Sequence, residues 1–124
     1  MQKTIKRTLF VPHEWVEQAD VIEWCELSKI DVIHIPNDEK RSFYAAKKKK
    51  KMGMSNGFPD LFFPIPNREY HGLMIEMKRK EFSTCSLEQI EWIRKLNTNG
   101  YLACFCYGAE DAIEVIKNYI NNKG

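Results

Sequence analysis

Carboxylate and ammonium side chains stand in two apolar runs between residues 57 and 78, where a buried strand would ordinarily carry only apolar residues. Asp60 lies in the first run, and Glu76 and Lys78 lie in the second. Proline and asparagine residues between the runs indicate a turn. The stretch therefore predicts an antiparallel hairpin that carries two acids and a lysine.

Side chains alternate along a strand, so Glu76 and Lys78 share one face. A hairpin centred near Arg68 places Asp60 opposite Glu76, and Cβ atoms of opposed residues are about 5 Å apart. This register is an assumption, and a slip of one residue would turn Asp60 to the other face. Two carboxylates at that separation repel unless a proton or a cation lies between them. A hard divalent cation such as Mg²⁺ meets this requirement.

These three residues are the parts needed for metal-assisted hydrolysis of a phosphodiester. The carboxylates of Asp60 and Glu76 would hold Mg²⁺ or Mn²⁺, which polarises the phosphate and lowers the pKa of a bound water. Lys78 would orient or deprotonate that water and stabilise charge in the transition state. The alternative interpretation is an exposed ion pair of Glu76 and Lys78 at a strand end, which would contribute little to stability.

Five consecutive lysines precede the hairpin: Lys47, Lys48, Lys49, Lys50 and Lys51. On a helix they would point in all directions and could not form one buried face. One interpretation is a solvated segment. The other is an arm that contacts phosphates, with salt-dependent binding. Both stay open.

The remaining pattern predicts an α/β domain of the order α-β-α-β-β-α-β-α, with a mixed sheet flanked by helices. The first helix, about residues 14–27, should bury Trp15, Val16, Ala19, Ile22 and Cys25. A short strand at 31–36 and a possible helix at 42–52 follow. Ser86 and Gln89 form a predicted capping box for the next helix, whose apolar stripe is Leu87, Ile90, Ile93 and Leu96. A strand at 101–107 and a helix at 109–121 end the chain.

The chain of 124 residues is expected to form a single domain, residues 1–124, with a loose lead-in at 1–11. The formal charge is only +2, so binding to a polyanion would depend on local charge. No apolar run predicts a membrane span or a signal peptide, which favours a cytoplasmic location. The four cysteines show no metal-binding spacing and are expected to be reduced.

Several motifs along the chain resemble the VRR-NUC branch of the PD-(D/E)xK nucleases. They are Glu14-x-x-x-Gln18, His34-Ile35-Pro36-Asn37, Gly57-x-Pro59-Asp60-Leu61, Tyr70-His71-Gly72-Leu73-x-Ile75-Glu76-Met77-Lys78, Ser86-x-Glu88-Gln89-x-x-Trp92 and Gly100-Tyr101. The resemblance covers nearly the whole chain, from Glu14 to Tyr119. A chain this short is similar to the small versions of bacteriophages and bacteria, which cut branched DNA such as Holliday junctions and act as homodimers. The resemblance thus implies a restriction-endonuclease-like fold, a location in the host cytoplasm if the chain is phage-encoded, and a DNA partner.

The resemblance also implies roles for individual residues. Asp60 and Glu76 are metal ligands, with the Met77 carbonyl as a third, and Lys78 is the catalytic lysine. Gln89 is a downstream active-site residue, although the capping box explains it as well. Glu14 would face the metal site, but a carboxylate is also favoured in a first helical turn by the macrodipole.

Residues outside this acidic centre are predicted to contact DNA or line the cleft: His34, Asn37, Arg41 and Lys47–Lys51. The leading hypothesis is a Mg²⁺- or Mn²⁺-dependent, structure-specific DNA endonuclease. A DNA-binding module that keeps the fold without turnover is the alternative, and an interaction protein with an incidental acidic pocket is a third possibility.

Overall fold

The computed structural model describes residues 11–36, 47, 51–53, 56–81 and 83–122. In these ranges three helices and four strands follow in chain order: α1 (Glu14–Leu27), β1 (Ile33–His34), β2 (Leu61–Phe63), β3 (Leu73–Lys78), α2 (Leu87–Thr98), β4 (Leu102–Tyr107) and α3 (Ala109–Asn121). The described part contains no helix long and apolar enough to cross a membrane. The predicted helix at 42–52 lies mostly outside it, although Lys47 and Lys51 have helical backbone and exposed side chains.

The strands form one mixed sheet in the order β1-β2-β3-β4. The pairs β1–β2 and β2–β3 are antiparallel, and β3–β4 is parallel. Leu61 pairs with Ile75 and Phe63 pairs with Leu73, which is the predicted hairpin register. Helix α2 connects the two parallel strands, as parallel neighbours require. The predicted α/β class with a mixed sheet is therefore confirmed.

Strand β3 is buried along its whole length because helices cover both of its faces. Leu73, Ile75 and Met77 belong to the larger core, which α1 and α3 cover. Met74 lies on the other face, in a smaller core with residues of α2 and β4. The alternation predicted from the sequence thus assigns β3 side chains to two separate cores, and Glu76 and Lys78 lie on the α2 face.

The inner face of α1 differs from the predicted stripe. Val21 and Cys25 are buried as a helical repeat, and the residue one turn earlier on that face is Glu17, which is 6% exposed. Its Oε1 atom accepts a hydrogen bond of 3.2 Å from the Ala109 N–H at the start of α3. Trp15, predicted to be buried, is 69% exposed. A carboxylate that satisfies a helix N-terminus can occupy a core position, and apolar periodicity does not detect such a residue.

The predicted apolar stripe of α2 is only partly buried. Leu96 is buried, and Trp92 and Ile93 pack beside it, with Phe58 against the Trp92 ring at 5.0 Å between centroids. Leu87, at the start of the helix, is 83% exposed. The first turn of α2 therefore turns a polar residue, Gln89, toward the sheet and leaves apolar ones outside.

Gly57 allows the chain to approach the start of α2 closely. Its φ is +85°, and a Cβ atom added there would lie 2.6 Å from the Glu88 carbonyl carbon and 2.7 Å from the Gln89 nitrogen. Both neighbours are backbone atoms that cannot rotate away. Gly57 thus fixes the distance between the segment that leads to Asp60 and the helix that carries Gln89.

Replacing Gly57 with alanine is expected to lower the free energy of unfolding by about 3 kcal/mol or more, because left-handed strain and backbone overlap add. Gly53→Ala is a matched control, since Gly53 has the same φ of +85° and nothing within 4 Å of an added Cβ. That variant should lose only about 1 kcal/mol. Urea denaturation measures both, and equal losses would show that the contact with α2 is unimportant.

Candidate active site

Asp60 and Glu76 meet at the edge of the sheet where β2 begins and β3 approaches its end. Asp60 directly precedes β2, one position beyond the Leu61–Ile75 pair, so the confirmed register places it across from Glu76. Its Oδ2 atom accepts a hydrogen bond of 3.0 Å from the Met77 N–H. Its carbonyl accepts one of 2.7 Å from the Ile35 N–H. Asp60 is thus held by β3 on one side and by Ile35, directly after β1, on the other.

The acidic pair is electrostatically unfavourable without a compensating charge. Burial, and to a smaller extent the nearby charge of Asp60, together raise the pKa of Glu76 to about 9. Burial also raises the pKa of Asp60, against the opposing hydrogen bond from Met77. The two carboxyl groups can hydrogen bond to each other only while one carries a proton. When both are ionised, no donor in the described part of the chain reaches the buried Glu76 Oε1 atom.

Lys78 and Gln89 form a hydrogen-bonded group beside the acids. Lys78 is 6% exposed, and its Nζ atom donates to Gln89 Oε1 and to the Thr84 carbonyl, each at 2.7 Å. Gln89 Nε2 donates to Glu76 Oε2 at 3.1 Å. The exposed strand-end ion pair considered for Glu76 and Lys78 is excluded, because both side chains are buried.

Two other predicted site residues, Glu14 and His34, lie near enough to the acidic pair for their charges to act on it. The charges of Glu14 and His34 act on Glu76 and Asp60, respectively. Among the described residues, no three His, Cys, Asp or Glu side chains are grouped to hold one metal ion. The structure therefore brings Asp60, Glu76, Lys78 and Gln89 together, and a ligand role for Glu14 or for the Met77 carbonyl stays a prediction.

Most of the predicted DNA contacts lie outside the described residues: Asn37, Arg41 and Lys48–Lys50. Lys47 and Lys51 are described and exposed. Lys51 is a few residues before Gly57, which packs against the backbone of Gln89. The role of the lysine run therefore stays a prediction.

The contribution of Thr84 was not predicted from the sequence. Its carbonyl oxygen accepts a hydrogen bond from Lys78 Nζ, from a loop in which no side-chain motif marks the position. Every residue offers the same backbone carbonyl, so residue types give no signal for this contact.

Comparison with known proteins agrees with the fold. The sequence profile of the VRR-NUC domain matches residues 1–110. A solved structure of a "VRR_NUC domain protein" superposes with a TM-score of 0.82 at 32% sequence identity, over 93% of each chain. The comparison with curated proteins gives no match. These two similarities show a nuclease-fold domain, and the chain belongs to the VRR-NUC domain family.

Proposed function

We propose that the protein is a metal-dependent, structure-specific DNA endonuclease that hydrolyses phosphodiester bonds, with branched DNA as its substrate. The observation that carries the proposal is the buried pair of Asp60 and Glu76 with Lys78 hydrogen-bonded beside it. A fold retained only for binding has no need of two buried carboxylates that destabilise each other. Strongly perturbed acids at one edge of a sheet are typical of catalytic sites.

The acidic pair fits a hard divalent cation. Asp60 and Glu76 each use one carboxylate oxygen in a hydrogen bond to the protein, and the buried Glu76 Oε1 atom is left for another ligand. Oxygen donors and net negative charge are what Mg²⁺ and Mn²⁺ prefer. A cation bound there would polarise the scissile phosphate and make a water molecule more acidic.

The protein's own residues position the remaining groups. Lys78 has three N–H donors, of which two are directed to Thr84 and Gln89. The third N–H is left to orient the attacking water or a phosphate oxygen. In the neutral amine this position holds the lone pair, which can take the proton of that water. Gln89 holds both Lys78 and Glu76, so it keeps the lysine and the acidic pair at a fixed separation.

The choice of substrate and the assembly are part of this proposal. We expect DNA shape rather than base sequence to determine where the protein cuts. A four-way junction has paired strands to cut, and the described part of each chain carries one acidic site, which favours a two-fold symmetric homodimer. Light scattering with and without junction DNA tests this assembly, and a monomeric mass in both conditions would contradict it.

The experiment that tests the function is a panel of labelled DNA substrates with Mg²⁺ or Mn²⁺: a four-way junction, a flap, a splayed arm and a linear duplex. Cleavage of branched DNA is expected, with none in EDTA. Asp60→Asn should slow cleavage at least 100-fold, since the amide can still accept the Met77 N–H bond but weakens metal binding. Asp111→Asn is the control, because Asp111 also accepts a backbone N–H, from Tyr107, but is exposed.

Two other outcomes identify the alternatives. Tight binding of branched DNA without cutting in any divalent metal would favour a non-catalytic binding module. Lack of DNA affinity even at low salt would favour an interaction protein, since phosphate contacts strengthen as salt falls.

A further inference from the structure

Ser86 is the N-cap of α2, and its partner in the cap, the Gln89 side chain, also belongs to the candidate active site. Its Oγ atom accepts a hydrogen bond of 3.1 Å from the Gln89 N–H, and its own N–H donates to Gln89 Oε1 at 3.0 Å. This is the reciprocal capping box predicted from the sequence. A capping box elsewhere would serve only the end of the helix.

Here the same glutamine amide also holds two residues of the site. Gln89 Oε1 accepts from Lys78 Nζ as well as from the Ser86 N–H, and Nε2 donates to Glu76 Oε2. Rotating the amide by 180° would set its NH₂ group against two donors and its oxygen against a carboxylate. The orientation of the Gln89 amide is therefore determined by its neighbours, and Ser86 supplies one of them.

The loop before α2 contributes to the same arrangement. Thr84, two residues before Ser86, gives the other acceptor for Lys78 Nζ. Both acceptors of the buried ammonium group thus come from residues 84–89, the run that leads into and forms the first turn of α2. The conformation of this run sets the position of Lys78 Nζ relative to the acidic pair.

We propose that Ser86 is a positioning residue of the nuclease, which acts through Gln89 to hold Lys78 and Glu76 in the reactive arrangement. The proposal rests on the proposed function. Without Oγ, the Gln89 N–H loses its acceptor, and the first turn that directs the Gln89 side chain is no longer fixed. Loss of a hydrogen-bond partner that orients an active-site residue typically lowers activity 10- to 100-fold.

Single-turnover cleavage of the best DNA substrate tests the proposal with four variants: Ser86→Ala, Ser86→Thr, Gln89→Ala and the double variant with alanine at both positions. Ser86→Ala should lower the rate constant about 10-fold with little change in the DNA concentration for half-maximal rate. Ser86→Thr keeps the hydroxyl and should restore the rate to within about twofold. In the Gln89→Ala background, Ser86→Ala should cause no further loss.

Asn97→Ala is the control for a purely structural effect on α2. Asn97 lies near the other end of the helix, where its side chain bonds to the N–H and carbonyl of Ala103. This variant should lower the melting temperature at least as much as Ser86→Ala while leaving the rate constant unchanged. A comparable rate loss in Asn97→Ala, or additive losses at Ser86 and Gln89, would overturn the proposal.

A readout independent of cleavage separates this proposal from the proposed function. Hydrogen exchange of the Gln89 side-chain amide, followed by NMR and assigned with Gln89→Ala, should be slow in the wild type and in Ser86→Thr and fast in Ser86→Ala. Slow exchange in a wild type that cuts no DNA would retain the positioning role and contradict the nuclease. Equal exchange in wild type and Ser86→Ala would overturn the positioning role whether or not DNA is cut.

Discussion

Replacing Lys78 with methionine is expected to lower the single-turnover rate constant for DNA cleavage about 1,000-fold. Methionine is unbranched and of similar length, so it can fill the buried space that Lys78 occupies. It cannot donate a hydrogen bond, orient a water molecule or take a proton. Gln89 Oε1 keeps the Ser86 N–H as a donor, so the start of α2 should remain folded.

The same variant should retain binding of divalent cations. Lys78 carries a positive charge close to Asp60 and Glu76, and its removal takes away repulsion toward a cation. Isothermal titration with Mn²⁺ should therefore give an affinity equal to or tighter than that of the wild type. Loss of cleavage with retained metal binding would assign Lys78 to the chemical step rather than to metal binding.

Lys80→Met is the matched control, because Lys80 is an exposed lysine two residues further along the chain. Its side chain lies beside Gly108, at the turn between β4 and α3. We expect its rate constant to stay within about threefold of the wild type, in keeping with the modest effects of surface substitutions. A Lys78→Met protein with more than a tenth of the wild-type rate would contradict the catalytic role of Lys78.

The second large effect concerns stability in the absence of metal, which should decrease as the pH rises. The pKa of Glu76 is raised from its ordinary value of 4.5 to about 9, with burial as the main cause. Between these two values the folded protein keeps a proton that the unfolded chain has released. The free energy of unfolding therefore falls across this pH interval, by up to about 1.4 kcal/mol per pH unit.

Glu76→Gln is expected to remove most of this pH dependence. Glutamine keeps an oxygen for the Gln89 amide and carries no charge to bury. At pH 8 in EDTA we expect the variant to be more stable than the wild type by roughly 2–4 kcal/mol, because relaxation and proton sharing with Asp60 reduce the full effect. Urea denaturation between pH 5 and pH 9 measures both proteins.

Metal should reverse this order of stability between the wild type and Glu76→Gln. Mg²⁺ that binds only the folded wild type raises its stability by mass action, and the variant that lacks the carboxylate should gain much less.

Glu88→Gln is a suitable control, since Glu88 is exposed on the first turn of α2 and its substitution should leave the pH dependence unchanged. An identical decline with pH in wild type and Glu76→Gln would show that Glu76 is not the group responsible. A Glu76→Gln variant that is both more stable and more active than the wild type would contradict the expectation that Glu76 serves function at the expense of stability.

The site also shows what local sequence determines. Period-two alternation placed Glu76 and Lys78 on one face of β3, and the turn composition centred the hairpin so that Asp60 faces Glu76. The confirmed register agrees, because the pleat and the turn fix both relations between residues close in sequence. The capping box of Ser86 and Gln89 was predictable for the same reason, as its four atoms lie within one helical turn.

Only the tertiary structure decided how these local elements meet. The sequence predicted that Trp15 and Leu87 lie on the apolar faces of their helices, whereas Glu17 and Gln89 face inward in the structure. Gln89 reaches Lys78 and Glu76 because Gly57 lets the chain before Asp60 lie against α2, and Thr84 contributes only a backbone oxygen. Residue types and spacing describe one element at a time, whereas the rotation of a helix about its axis depends on every surface that it buries. The sequence therefore determined which acids and which lysine share a strand face, and the packing of α1 and α2 on the sheet determined which further groups hold them there.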